Sequence, residues 1–409
     1  MYQHSAAGGD KTGYASLRLV ASLLLLTIGG SGMYAAIVIL TPVIAEFGLS
    51  RSAASLPYFA TMIGFGLGGI MMGRLSDRYG VMIPVLFGGF SLAGGYFLAA
   101  SATSPLVFFV SHGLLIGFFG MSPSFAPLIA DISHWFVRRR GLAVAIVISG
   151  SYLAGAVWPP IIQYGFDQVG WRQTYWALGI FCVVSNLVLA PLLHRRPPAA
   201  AGADTEHAGR HSGRPLGFGP GTLQCLLCTA GVACCAAMAM PQVHIMALAG
   251  DLGHAAARGA EMLALMLACG IVSRLTSGWI SDRIGGLRTL LLGSGMQAVA
   301  LVLFMPVDSL IGLYVMSALF GLTQGGIVPS YAIIIRAYFR PGEAGWRIAT
   351  IMLATMIGMA LGGWMAGMLY DLTGSYDAAF INGIGFNILN MAIAGGLLRR
   401  ASRQFRVSA

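Results

Sequence analysis

Apolar stretches of roughly 20 residues recur twelve times along this chain, and an α-helix needs about 20 residues to cross a ~30 Å hydrocarbon core. The stretches run over 17–42, 54–73, 81–101, 105–130, 141–163, 173–193, 220–246, 259–280, 288–306, 309–334, 346–369 and 377–398, and are numbered spans 1 to 12. All are expected to be helices, because an open sheet edge cannot satisfy its backbone in lipid. The pattern predicts an all-α membrane protein with twelve transmembrane helices in two pseudo-symmetric six-helix bundles. One long polar segment, 194–219, carries Pro197 and Pro198 and reads as a flexible linker between residues 1–193 and 220–409. The apolar run after the polar amino terminus is about 24 residues, longer than a signal-peptide core, so it reads as a retained span.

Composition agrees with this picture. The 409 residues are 57% hydrophobic and 9% charged, where soluble chains carry about 25% charged residues. The 57 glycines suit helices that pack closely in a bilayer. A net charge of +10 raises the question of nucleic acid, but the arginines sit in short loops between apolar spans. Of the 24 basic residues, 20 fall on one side if both termini are cytoplasmic, and three (Arg51, Arg172 and Arg258) fall on the other. The positive-inside bias therefore sets the orientation and supports an even number of spans. Six cysteines are present; Cys225 and Cys228 lie in an apolar helix with no histidine or carboxylate at hand, so no metal or disulfide framework is expected.

Arg274 remains, and it reads as the only charged residue inside any span, with no Asp or Glu at bilayer depth. An arginine there costs roughly 2.5–3.5 kcal/mol on insertion scales and usually marks a ligand or ion path. It cannot deprotonate, and its planar fork suits a carboxylate. A structural staple held by backbone carbonyls is the alternative.

The two halves repeat. Gly73-Arg74-Leu75-Ser76-Asp77-Arg78-Tyr79-Gly80 follows span 2, and Gly278-Trp279-Ile280-Ser281-Asp282-Arg283-Ile284-Gly285 follows span 8, with Asp282 lying 205 positions after Asp77. Span 4 carries Gly117 and Pro123-Ser124-Phe125; span 10 carries Gly321 and Pro329-Ser330-Tyr331 at nearly the same offset. A duplicated six-helix unit is expected to place its substrate near the membrane midplane where the repeats meet.

With these motifs the chain resembles the major facilitator superfamily over essentially its full length. The resemblance implies that Gly73, Asp77, Arg78 and Gly80, with Asp282 and Arg283, gate conformational change and do not bind substrate. The loop Trp135-Phe136-Val137-Arg138-Arg139-Arg140-Gly141-Leu142-Ala143 is similar to that of the monocarboxylate-porter and oxalate-exchanger branch, and places Arg138, Arg139 and Arg140 in the same gating group. Arg274-Leu275-Thr276-Ser277-Gly278 is similar to the Arg-x-x-x-Gly of that branch, whose arginine holds the substrate carboxylate. Pro241-Gln242-Val243-His244 resembles its bacterial members. Three positions depart from the branch. Span 1 has no basic residue within it, Gly270 stands where an Asp precedes the arginine, and Thr355 and Met356 stand where oxalate exchangers have a lysine. One cationic anchor favours a monocarboxylate over a dicarboxylate, and coupling through a Lys–Asp pair does not carry over.

The remaining candidates for substrate contact are His244, His112, Gln324, Tyr34, Ser149, Tyr152 and Tyr331. His244 and His112 are the titrating candidates if transport is proton-coupled, although a carboxylate substrate can also carry its own proton. Gln324 is a mid-span amide beside Gly325 and Gly326. Each has a bland alternative in local capping or helix packing, and Asn387 and Asn390 read as packing residues. The expected function is secondary active transport of a small organic anion, with or without proton symport, by a monomer in a bacterial cytoplasmic membrane. A facilitator for a neutral solute or drug, or a transporter-like sensor, are the rivals. No cofactor, metal or nucleic acid is expected. No nucleophile–base pair or phosphate loop points to an enzyme.

Overall fold

A computed structural model describes residues 6–136, 140–195, 215–340 and 343–407. Every regular element among them is a helix. Twelve helices are long and apolar enough to cross a bilayer: Gly13–Val38, Arg51–Tyr79, Met82–Ala100, Pro105–Trp135, Gly141–Val169, Trp171–Leu193, Pro220–Asp251, Ala256–Ile284, Gly286–Phe304, Leu310–Tyr338, Ala344–Thr373 and Asp377–Arg403. They match the twelve expected spans and mostly extend further at their ends. Hydropathy marks the hydrocarbon-depth part of a helix, whereas the helix itself continues into the polar interface. Side chains such as Ile180, Val184, Leu187 and Val188 on span 6 recur at helical spacing and are exposed, as a lipid-facing stripe should be.

The helices correct one expectation, although Arg18, Glu261 and Arg347 already fall inside the stretches 17–42, 259–280 and 346–369. Arg274 is not the only charged residue in a span, and acidic residues do occur there. Arg18, Asp131, Glu261 and Arg347 all lie in spanning helices. Arg18 and Asp131 are both buried and form a two-pronged pair, Nε to Oδ2 and Nη2 to Oδ1 both at 2.7 Å. Arg18 Nη1 also donates to the Tyr14 hydroxyl and the Arg195 carbonyl, and its guanidinium lies 4.8 Å from the Trp135 ring. A buried arginine is tolerated here because every face of it meets a partner.

Packing divides the chain into two units, Met1–Ala36 with Ile63–Ala203, and Ile37–Met62 with Asp204–Ala409. Residues 196–214 of the linker lie outside the described residues. The segment 37–62, the end of span 1 and the start of span 2, belongs by sequence to the first repeat and by packing to the second unit. In the first unit Leu25 and Leu26, Val85, Leu128 and Ile132, Val147 and Leu193 meet in one apolar core drawn from spans 1, 3, 4, 5 and 6. In the second unit a buried polar network joins spans 9, 10 and 12. Asn387 Nδ2 donates to the Ser294 carbonyl at 2.9 Å, Asn390 Nδ2 to the Ser294 hydroxyl at 2.7 Å, and Tyr331 to Asn390 Oδ1 at 3.1 Å.

The sequence repeat is a structural one. Gly80 and Gly285 end spans 2 and 8 with φ of 85° and 82°, a left-handed conformation that glycine adopts without strain. Their amides donate to the Ser76 and Ser281 carbonyls at 2.8 and 2.9 Å. Spans 4 and 10 are both interrupted at equivalent depth. Span 4 passes through a π-helical stretch, Ser111–Met121, and a tight turn, Ser122–Ser124, before Ala126–Trp135. Span 10 consists of Leu310–Gln324 and Ile327–Tyr338, separated by Gly325 and Gly326.

Candidate functional site

The interruption of span 10 falls against Arg274. Met266, Gly270, Ser273 and Ser277 recur along one face of span 8, and Gly321, Gly325 and Gly326 of span 10 pack onto that face. A Cβ on Gly325 would lie 2.4 Å from the Arg274 amide nitrogen and 2.6 Å from the Gly270 carbonyl oxygen, so only glycine fits. A Cβ on Gly326 would lie 2.2 Å from that of Ser277. The break frees backbone groups of span 10, and Ser273 takes up one of them, its hydroxyl accepting from the Gly325 amide at 3.1 Å. In a bilayer such irregular backbone is tolerated only where protein or a wet cavity covers it. Transporters use broken helices of this kind at their substrate sites.

Gln324 is the last residue before the break and is 1% exposed. Among the described residues neither its amide nitrogen nor its amide oxygen has a hydrogen-bond partner. An unsatisfied buried polar group costs about 1–3 kcal/mol, and a native structure that keeps one needs a reason for it, such as a bound molecule. Arg274 is half-buried on the neighbouring helix. A fixed cation and an amide that can both donate and accept therefore sit on two helices in direct backbone contact.

The other expected contacts are placed elsewhere. His244 and Tyr331 also belong to the second unit. Both ring nitrogens of His244 are engaged: Nε2 donates to the Gly363 carbonyl at 2.8 Å, which leaves Nδ1 to accept from the Tyr376 hydroxyl at 3.0 Å. Tyr331 sits in the buried polar network, where it also reaches Cys234. In the first unit His112 is fully buried, with Nδ1 3.0 Å from the Phe108 carbonyl one turn back and Nε2 3.3 Å from the Tyr175 hydroxyl. Tyr34 is buried and donates to the Ser151 carbonyl at 3.2 Å, and Ser149 bonds back to the Ala145 carbonyl at 2.8 Å. Tyr152 is buried on the same helix. Asp77, Arg78, Asp282 and Arg283 are exposed at the ends of spans 2 and 8, and the Arg283 guanidinium stacks 3.8 Å over the Trp279 ring. Arg138 and Arg139 lie outside the described residues, and Arg140 opens the helix that becomes span 5. Among the described residues no group of three or more metal-ligating side chains is assembled.

Sequence reasoning missed one cluster. Arg51, counted only as a loop charge, holds Asp251 with both guanidinium prongs. Its partners lie 200 or more positions away in sequence, and no local pattern links them.

Twelve spanning helices built as two repeats, broken in spans 4 and 10, define a membrane transporter fold. The family model described as Major Facilitator Superfamily matches residues 20–223 and 225–407. The chain belongs to this superfamily of membrane transporters. It is 29% identical over 314 residues to monocarboxylate transporter 13 of Bos taurus, covering 75% of this chain and 71% of that protein. It is 25% identical over 328 residues to the MFS-type transporter opdF of Penicillium oxalicum, covering 79% and 75%. Among solved structures, the peptide transporter POT in complex with sulfate superposes with a TM-score of 0.74 at 12% identity, covering 96% of this chain and 98% of that one. A bacterial homolog of the human lysosomal transporter Spinster, inward-facing and occupied, gives 0.70 at 15% identity, with 95% and 97% covered. The structural likenesses establish the fold, and the sequence similarities run to the monocarboxylate branch.

Proposed function

We propose that the protein is a secondary transporter for a small organic anion with a single carboxylate. Arg274 is the anchor for that carboxylate, and the Gln324 amide is a second contact that binds the polar group at the other end of the solute. The observation that carries this reading is a half-buried arginine and a fully buried amide, the latter without a hydrogen-bond partner among the described residues, on two helices in backbone contact at the break in span 10. A fixed cation at bilayer depth favours an anion, and neutralising it lowers the barrier to moving it through a low-dielectric closed state. Transport proceeds by alternating access, with the site open first to one side and then to the other. The proton, where one is coupled, travels on the substrate's own carboxyl group or on a histidine. The similarity to monocarboxylate transporters of animals supports the substrate class. The arginine asymmetry supports cytoplasmic termini.

Thermal melting of the purified protein against a panel of monocarboxylates, dicarboxylates and the matching neutral amides tests the reading. A short hydroxy- or keto-monocarboxylate should raise the melting temperature by several degrees, following the stabilisation that any ligand of the native state confers. Its amide should not. Stabilisation by neutral amides alone would favour a neutral solute.

A further inference from the structure

Three helix ends of the second unit enclose a cavity of about 320 Å³. It lies where span 8 turns into span 9, against the ends of spans 10 and 12. Leu287 and Ile334, both buried, give it apolar walls together with Leu398, and Arg288, Tyr338 and Ser402 bring its polar groups. It opens outward, since Arg288, Ala337 and Ser402 in its lining are exposed. Its volume falls at the lower end of the ~300–1,000 Å³ of small-molecule sites. The surrounding charge is of one sign. Residues 284–290, 333–340 and 396–403 carry six arginines, all exposed, and no Asp or Glu. Further along the same helices the exposed residues are apolar: Leu292, Met296 and Val299 recur at helical spacing on span 9, and Ile381, Ile388 and Leu389 are exposed on span 12.

We propose that this cavity seats the phosphate headgroup of an anionic phospholipid from the cytoplasmic leaflet. Arg288 supplies the charge for the phosphate, the hydroxyls of Tyr338 and Ser402 supply donors, and the acyl chains run along the exposed apolar faces of spans 9 and 12. Three observations support it. First, the place is right for a headgroup: the cavity sits at the ends of three spanning helices, where hydrocarbon gives way to the polar interface. Second, charge is complementary. Basic pockets between transmembrane helices on the cytoplasmic side take lipid headgroups, and here the arginines meet no acidic side chain along those three helix ends. Third, the walls are apolar while the rim is cationic, a division that matches an amphipathic lipid and not a free inorganic anion. The site is separate from the carboxylate anchor. Arg274 lies ten residues before Ile284 on span 8, about 15 Å along the helix axis. The choice of leaflet rests on the orientation read from the arginine asymmetry; the binding itself does not.

The test is native mass spectrometry of the delipidated full-length protein in detergent, titrated with phosphatidylglycerol or with phosphatidylcholine of the same acyl chains. It needs no transport substrate and no orientation, so it can fail independently of both readings. The parent should bind phosphatidylglycerol more tightly than phosphatidylcholine. Arg288→Gln should weaken phosphatidylglycerol about fivefold, the worth of one arginine near a charged lipid surface. Arg283→Gln removes an equal charge from the same side but outside the cavity, where its guanidinium stacks on Trp279, and should leave binding at the parent level. Ala337→Trp keeps every charge and fills the cavity, and should also weaken binding. Equal affinity for the two lipids would overturn the proposal. So would equal losses in Arg288→Gln and Arg283→Gln, which would mean attraction to the basic face as a whole, or displacement of the lipid by inorganic phosphate alone, which would make the cavity a site for a soluble anion. Should Arg288→Gln fail to fold, Ala337→Trp decides the question alone.

Discussion

Arg274→Leu should remove carboxylate binding while leaving a folded, membrane-inserted protein. A hydrogen bond to a charged group contributes about 1.5–3 kcal/mol, so the loss corresponds to roughly a 10- to 150-fold fall in affinity, since each 1.4 kcal/mol is tenfold. The fall is read as the shift in the carboxylate concentration that half-saturates the thermal stabilisation. Arg274→Lys keeps the charge but not the planar fork, and should fall between the two. The carboxylate-anchor reading requires that the melting temperature without ligand change little in Arg274→Leu. A large drop instead would identify Arg274 as a staple of the fold.

The second large effect concerns stability alone. Asp131→Ala strands the Arg18 guanidinium in a site where it is fully buried. Removing one partner of a buried pair typically costs about 3–5 kcal/mol, so Asp131→Ala should melt well below the parent and express poorly. The paired replacement Arg18→Met with Asp131→Leu removes both charges and should restore most of the loss, because apolar substitutes for a buried pair are often neutral or better. Comparing the two melting temperatures checks the account. A single variant as stable as the parent would mean the pair is hydrated and contributes little.

Much of this architecture was legible because hydropathy and helix length report directly on the bilayer. The twelve spans, the repeated loop motif, Arg274, and Gln324 beside Gly325 and Gly326 all stand out in the sequence. The charges at helix ends did not. Arg18, Asp131 and Glu261 read as loop residues, although Arg18 and Glu261 fall inside the stretches 17–42 and 259–280 and Asp131 lies one position beyond 105–130. The partners of Arg18 lie 113 or more positions away, apart from Tyr14 one turn back. Arg51 was invisible for the same reason, its ionic and backbone contacts spanning 200 and 320 positions. Several polar side chains expected to contact substrate are also held by partners within the protein. His112 and Ser149 find carbonyls one turn back, and Tyr331 finds Asn390. Only the packed structure distinguishes such satisfied groups from Gln324, whose amide is buried and has no partner among the described residues.

Uptake into proteoliposomes of a radiolabelled short monocarboxylate, set against its neutral amide, tests the central claim most directly. The account predicts saturable uptake of the carboxylate by the parent protein, little uptake of the amide, and loss of carboxylate uptake in Arg274→Leu. Uptake of the amide at the carboxylate's rate, unaffected by the substitution, would contradict it.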